Sequence, residues 1–354
     1  MLSVDSVVDF PFDEPLLQNK LKSLVSLWQT FKTSSYIYEV IALKLKEYIP
    51  FIGMGFMLLL VQLIALALAG PFKENNIEAF SNPEDPGNVV VWVAIILIFT
   101  AFIFLLIKLD KKWIIQAFIF LTVGSTLYFV FIPFFSIGPY IEFVIMVSPD
   151  QALNLGTVYY SLFILSAGLT ILLYKYPEWY VVDTVGVIIG AGASTMFGIS
   201  LEIIPTLLLL VVLAVYDYIA VYRTKHMVAL AEGVMDLKLP ILLVVPKHWK
   251  YSFISEKFDK DNREAFFMGL GDAVMPTLLV VSANVFVQAS SFTVPFIGSI
   301  NLPALGAIVG TFVGYAVLMG LVIKGKPQAG LPFLNSGVIL GYVAGSLIAG
   351  SALF

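Results

Sequence analysis

The chain has 354 residues, of which 59% are hydrophobic and only 12% charged, and a formal net charge of −4. An ordinary soluble domain is about 25% charged, so no water-soluble core of this size hides that much apolar surface, and a weakly acidic chain with scattered basic residues argues against nucleic acid as a partner. Cysteine is absent, which excludes structural disulfides, thiol chemistry and cysteinyl metal sites.

Residues 1–47 are mixed in character, and Leu21, Leu24, Leu27, Trp28 and Phe31 recur near helical spacing among lysines. That pattern suits a helix lying in the membrane interface, and equally an ordinary packed or frayed extension. The first apolar run that follows is too long for a signal-peptide core, so no cleaved targeting segment is expected.

Beyond it the charges cluster, leaving uncharged windows at 48–72, 86–107, 113–141, 151–174, 184–201, 273–323 and 327–354. A bilayer needs about 20 apolar residues per helix, so each short window holds one span and 273–323 holds most of two. Helix is required because only helices or closed barrels satisfy the backbone in lipid. The spacing predicts an all-α polytopic membrane protein with nine spans, near 48–70, 88–108, 112–136, 153–175, 182–201, 203–223, 265–287, 303–323 and 329–352.

Short loops rich in Lys and Arg stay in the cytoplasm. With the N-terminus inside, the inner segments collect 19 of the 20 basic residues, and only Lys73 falls outside. A miscounted helix would scramble this alternation, so the charges support both the span count and a cytoplasmic N-terminus with an outward C-terminus. The two histidines, His226 and His248, both fall in the polar loop 223–263 and read as solvated loop residues.

Glu142, Asp150, Asp183 and Glu202 sit at predicted span ends, where water or headgroups solvate them. Asp217 and Asp272 do not. A carboxylate in a helix centre costs about 3 kcal/mol on insertion scales and is usually functional. Asp217 precedes Arg223 by six residues and Asp272 follows Arg263 by nine. At 1.5 Å per residue this places the two carboxylates about 9 and 13 Å below one interface, on adjacent antiparallel spans. Two close carboxyls cannot both ionise cheaply and share a proton. The arrangement suits aspartyl proteolysis without a metal or cofactor. It suits a proton-coupled transporter equally, and a carboxyl pair that only fastens two helices is the non-functional alternative.

The flanking residues separate these. Asp217 lies in Val215-Tyr216-Asp217-Tyr218, and Asp272 closes Gly269-Leu270-Gly271-Asp272. On spans six and seven of nine, in this order, the two segments resemble the Tyr-Asp and Gly-x-Gly-Asp motifs of the presenilin and signal peptide peptidase superfamily of intramembrane aspartyl proteases. The resemblance covers the last four spans well and the first five mainly in number. It implies a scaffold over 48–201 and a catalytic part over 202–354, with Asp217 and Asp272 catalytic and with transmembrane helical peptides as substrates in the lipid bilayer. The inner loop is short, so one intact chain is expected. Homo-oligomerisation and accessory subunits are left open, and no inverted repeat of the kind transporters carry is detected.

The residues around the pair fit that resemblance. Gly269 and Gly271 remove side chains beside the carboxylate, for a neighbouring helix or for an extended substrate backbone, Leu270 separates them, and Tyr216 could donate a hydrogen bond near the pair or line the substrate path, a plain interfacial tyrosine being the alternative. The family's third element is a Pro-Ala-Leu motif entering the last span. A literal copy, Pro303-Ala304-Leu305, opens span eight on the outer side, where a proline in a helical first turn after Asn301 explains it. At the inner end of span nine stands Gln328-Ala329-Gly330-Leu331-Pro332, so Ala329, Gly330, Leu331 and Pro332 are the expected counterparts. Finally, Leu239–Pro246 is too short to span and rich in strand formers; it looks similar to the presenilin strand before span seven that pairs with substrate, and it equally suits an apolar loop in the membrane interface.

Overall fold

A computed structural model describes residues 49–109, 112–136, 155–224, 242–248, 250–254, 264–323 and 328–353. The extension 1–47 lies outside the described residues, as do Glu142, Asp150, His226 and most of the loop 225–263. Among the described residues the chain runs as nine helices, labelled α1 (Ile49–Glu74), α2 (Gly87–Lys108), α3 (Lys112–Ser136), α4 (Leu155–Lys175), α5 (Trp179–Gly198), α6 (Ile203–Tyr218), α7 (Leu270–Phe286), α8 (Leu302–Val322) and α9 (Leu331–Ala349). Seven of them are long and apolar enough to cross a membrane, and two shorter apolar helices, Tyr159–Lys175 and Leu270–Phe286, complete the predicted nine.

The helices differ in what they face. Along α2 only Val89, Ile103 and Leu106 are buried, whereas α7 buries ten consecutive or near-consecutive side chains from Ala273 to Ala283. Outward residues of α2, such as Val90 and Ile98, are large and apolar. Lipid solvates them, and the drive to pack helices comes instead from close contact between small residues. α7 is wrapped by α5, α6, α8 and α9. Buried hydroxyls tie this centre together: Thr195 Oγ1 on α5 donates to Ala65 O of α1 at 2.9 Å, and Tyr315 OH on α8 donates to Phe51 O at 2.6 Å.

α8 and α9 pack antiparallel on glycine. Gly306, Gly310 and Gly314 lie against Gly345, Gly341 and Gly337, so close that a Cβ on any of the six would run into the facing backbone. At Gly345, for example, it would stand 2.6 Å from Leu302 O and 3.0 Å from Pro303 Cα.

Two antiparallel ribbons interrupt the helices. β1 (Leu242–Pro246) pairs with β2 (Ala265–Gly269) in the register Leu242↔Gly269 to Pro246↔Ala265. β3 (Ser291–Val294) pairs with β4 (Gly298–Asn301) between α7 and α8. The strand reading of 239–246 therefore holds for Leu242–Pro246. Span seven needs correction: Ala265–Gly269, expected as helix, is strand, and α7 starts at Leu270. The strand directly before span seven is thus β2, with β1 as its partner. The π-helical turn Ile219–Thr224 prolongs α6.

Candidate active site

Asp217 is the second-last residue of α6 and is 5% exposed. Asp272 lies in the first turn of α7, three residues after β2 has handed the chain to the helix at Gly269. The helical rise used to place Asp272 about 13 Å deep does not apply across the strand 265–269. Its position is set by the ribbon instead: β2 is fixed by β1, and β1 by α5.

The link between β1 and α5 is Asp183. The ladder continues past the strands with Lys247 N–H donating to Glu264 O at 2.9 Å. Antiparallel ladders alternate, so Val244 N–H points away from β2, and there Asp183 Oδ1 accepts it at 2.7 Å. Asp183 is 2% exposed, which corrects its assignment to a solvated span end. The folded-back strand covers it. At the start of α5, Glu178 holds the same loop again, accepting from Ser252 Oγ at 2.7 Å and from Phe253 N–H at 2.9 Å.

The segment entering α9 joins the two aspartates. Leu331 N–H donates to Asp217 Oδ2 at 3.2 Å. On the preceding residue, a Cβ added to Gly330 would lie 2.7 to 2.8 Å from Asp272 Oδ2, Cγ and Oδ1, so the backbone itself rests against the carboxyl face. Consecutive residues of one turn, Gly330 and Leu331, thus touch both carboxyls. Ala329 is fully buried beside them, and Pro332 occupies the first turn of α9. Proline suits that place because the turn leaves its first N–H groups unpaired in any case.

Around Asp272 the glycines differ. A Cβ on Gly269 would meet Asp272 Oδ2 at an ordinary 3.5 Å, while one on Gly271 meets nothing within 4 Å. Gly271 is exposed, so no neighbouring helix among the described residues claims the room it leaves. Leu270 points the other way and packs on α5, where its Cδ1 is 3.0 Å from the position of a Cβ on Gly190. Tyr216 is half-buried beside Asp217.

The literal Pro303-Ala304-Leu305 segment is not part of this cluster. Asn301 Oδ1 caps α8 by accepting Ala304 N–H at 2.9 Å, and Pro303 lies against Gly345. Fifteen residues of α9 separate Gly345 from Gly330, about 22 Å at the helical rise. Sequence reasoning missed Asp183 and Tyr222. The latter's hydroxyl donates to Gln328 Oε1 at 2.6 Å. No chain-local signal marks either, since both partners come from distant segments.

Among the described residues, a bundle of apolar helices brings an acidic side chain at the end of α6 and another at the start of α7 against the one segment that enters α9, the architecture of an intramembrane aspartate protease. Two solved structures of a presenilin family intramembrane aspartate protease, in C222 and P2 crystal forms, are 37% and 36% identical to this chain. They superpose with TM-scores of 0.60 and 0.59, covering 85% and 86% of this chain and 100% of each of those. Residues 54–351 match the family described as signal-peptide peptidase, presenilin aspartyl protease, and the chain belongs to that family and is a protease of the membrane. No curated protein sequence matches it.

Proposed function

We propose that the protein is an endopeptidase that hydrolyses peptide bonds within transmembrane segments, with Asp217 and Asp272 as its acid-base pair. The observation that carries this reading is the contact of Gly330 and Leu331 with both carboxyls. It brings the Tyr-Asp, Gly-Leu-Gly-Asp and Gly330-Leu331-Pro332 segments to one point.

The chemistry needs only these groups and water. One carboxylate takes a proton from water as it attacks the scissile carbonyl, while the protonated partner donates to the carbonyl oxygen. Collapse of the tetrahedral species then returns the proton to the leaving nitrogen, and the pair regains its shared proton. Leu331 N–H orients the Asp217 carboxyl through Oδ2. The open space at Gly271 gives an extended substrate backbone access beside Asp272. Helical carbonyls are hydrogen-bonded and shielded, so the substrate must unwind, and a strand of the β1–β2 ribbon is suited to supply the lost backbone bonds. The charge pattern supports a cytoplasmic N-terminus, with the catalytic ends of α6 and α7 on that side.

The test is incubation of the purified protein with a single-span substrate, with mass spectrometry of the products. Asp217→Asn and Asp272→Asn keep the shape but cannot exchange the proton, so each should lower cleavage by about 10²–10⁴-fold or more while remaining folded. Near wild-type cleavage by either variant refutes the pair. Substrate-dependent proton flux in liposomes without cleavage would point to transport.

A further inference from the structure

α6 grips the segment before α9 twice. Asp217 accepts Leu331 N–H. Five residues on, Tyr222 OH donates to Gln328 Oε1 at 2.6 Å and accepts Ala329 N–H at 3.3 Å. In a regular α-helix, five residues turn through about 500°, leaving such side chains about 140° apart. The π-helical turn Ile219–Thr224 takes up an additional residue per turn. This re-phases the helix so that Tyr222 faces the same segment as Asp217. Tyr222 is 39% exposed and its ring stands 5.0 Å from that of Tyr218. Little burial holds it, so its hydroxyl bonds fix the contact.

We infer that Tyr222 is a positioning residue for proteolysis: its hydroxyl latches Gln328 and Ala329 so that the Gly330–Leu331 backbone rests against both carboxyls. The inference rests on the proposed roles of Asp217 and Asp272. A phenol both donates and accepts, and here each capacity binds one of two successive residues. The latch touches no reacting atom. It acts through the one turn of backbone that touches both, and the π turn is the local distortion that makes this reach available. Such turns are frequent at functional sites.

The test measures kcat, KM and Tm of full-length Tyr222→Phe, Gln328→Ala and the double variant on a single-span substrate, with Tyr218→Phe as the control. Phenylalanine keeps the ring and removes both bonds. The expected result is a fall in kcat of about tenfold for Tyr222→Phe, with KM unchanged and the protein fully folded at the assay temperature. Gln328→Ala should lose less, because Ala329 N–H still reaches the hydroxyl. The double variant should be no worse than Tyr222→Phe alone, and Tyr218→Phe should match the wild type. Wild-type kcat in Tyr222→Phe, additive losses in the double variant, or a kcat loss no larger than the fraction of protein unfolded at the assay temperature would each overturn the latch. Cleavage surviving in Asp217→Asn or Asp272→Asn unseats the acid-base pair. Cleavage lost there but intact in Tyr222→Phe overturns the latch alone.

Discussion

A methyl group on Gly330 would stand 2.7 Å from Asp272 Oδ2 and 2.8 Å from its Cγ. No side chain fits between this backbone and that carboxyl, so Gly330→Ala must push α9 or Asp272 aside. We expect it to reduce kcat at least tenfold with a loss of stability under about 1.5 kcal/mol, and a bulky Gly330→Trp to abolish cleavage. Leu305→Ala, in the first turn of α8 and far from the carboxyls, should change stability through packing and leave kcat intact. Cleavage and thermal unfolding measured together decide this, and an inactive but stable Leu305→Ala would require spans eight and nine to be redrawn.

Asp183 gives a second expectation. Asp183→Ala leaves the buried Val244 N–H without its acceptor, a loss of about 1–3 kcal/mol. Asp183→Asn keeps an oxygen in the same place and should cost much less. Hydrogen exchange at the Val244 amide should speed up in the alanine variant only. Equal behaviour of the two variants would show that the charge, and not the hydrogen bond, is what the ribbon needs.

The same ribbon shows where the sequence stopped being legible. Nine spans could be counted because charges punctuate them, and the aspartates stood out because carboxylates are rare inside apolar runs. Ala265-Phe266-Phe267-Met268-Gly269 looks alike as helix or strand, because a short apolar run carries no period that tells the two apart. Its pairing with Leu242–Pro246 is a tertiary fact. Asp183 is near a span end in sequence, and only the strand folded back over it makes it buried. Tyr222 is out of phase with Asp217 in any regular helix, so its role depends on a π turn that no local pattern announces. The Gln328–Pro332 segment lacks the family's proline and alanine, so span counting and not the motif points to it, and the structure places Gly330 and Leu331 against the two carboxyls.

Glycine packing between α8 and α9 can be tested against a glycine that touches nothing. Gly341→Ala places a Cβ 2.7 Å from Gly310 Cα. It should destabilise by about 1–3 kcal/mol, the usual cost of forcing extra volume into a packed interface. Gly320→Ala meets nothing within 4 Å and should be neutral or stabilising by up to about 1 kcal/mol, as expected for alanine in a helix interior. Chemical unfolding in detergent measures both, and equal effects would contradict the close approach.

Orientation is open to labelling because the chain has no native cysteine. A single cysteine at Leu353 should react with an impermeant reagent from outside, and one near the N-terminus only from inside. Cleavage products should map to the inner part of the substrate span. Reversed labelling, or cuts in the outer third, would invert the orientation proposed from the lysines.

The glycine seam makes the position of α9 discrete. Sliding it along α8 by one residue, about 1.5 Å, would bring side chains onto facing backbone, and glycines nest again only after four residues, about 6 Å. Between those stops lies a steric barrier, so α9 is keyed in place like a notched rule. Its reference mark is near its C-terminal end, where Gly345 sits on Leu302 and Pro303. The proline far from the carboxyls thereby fixes the zero from which Gly330 is measured to Asp272.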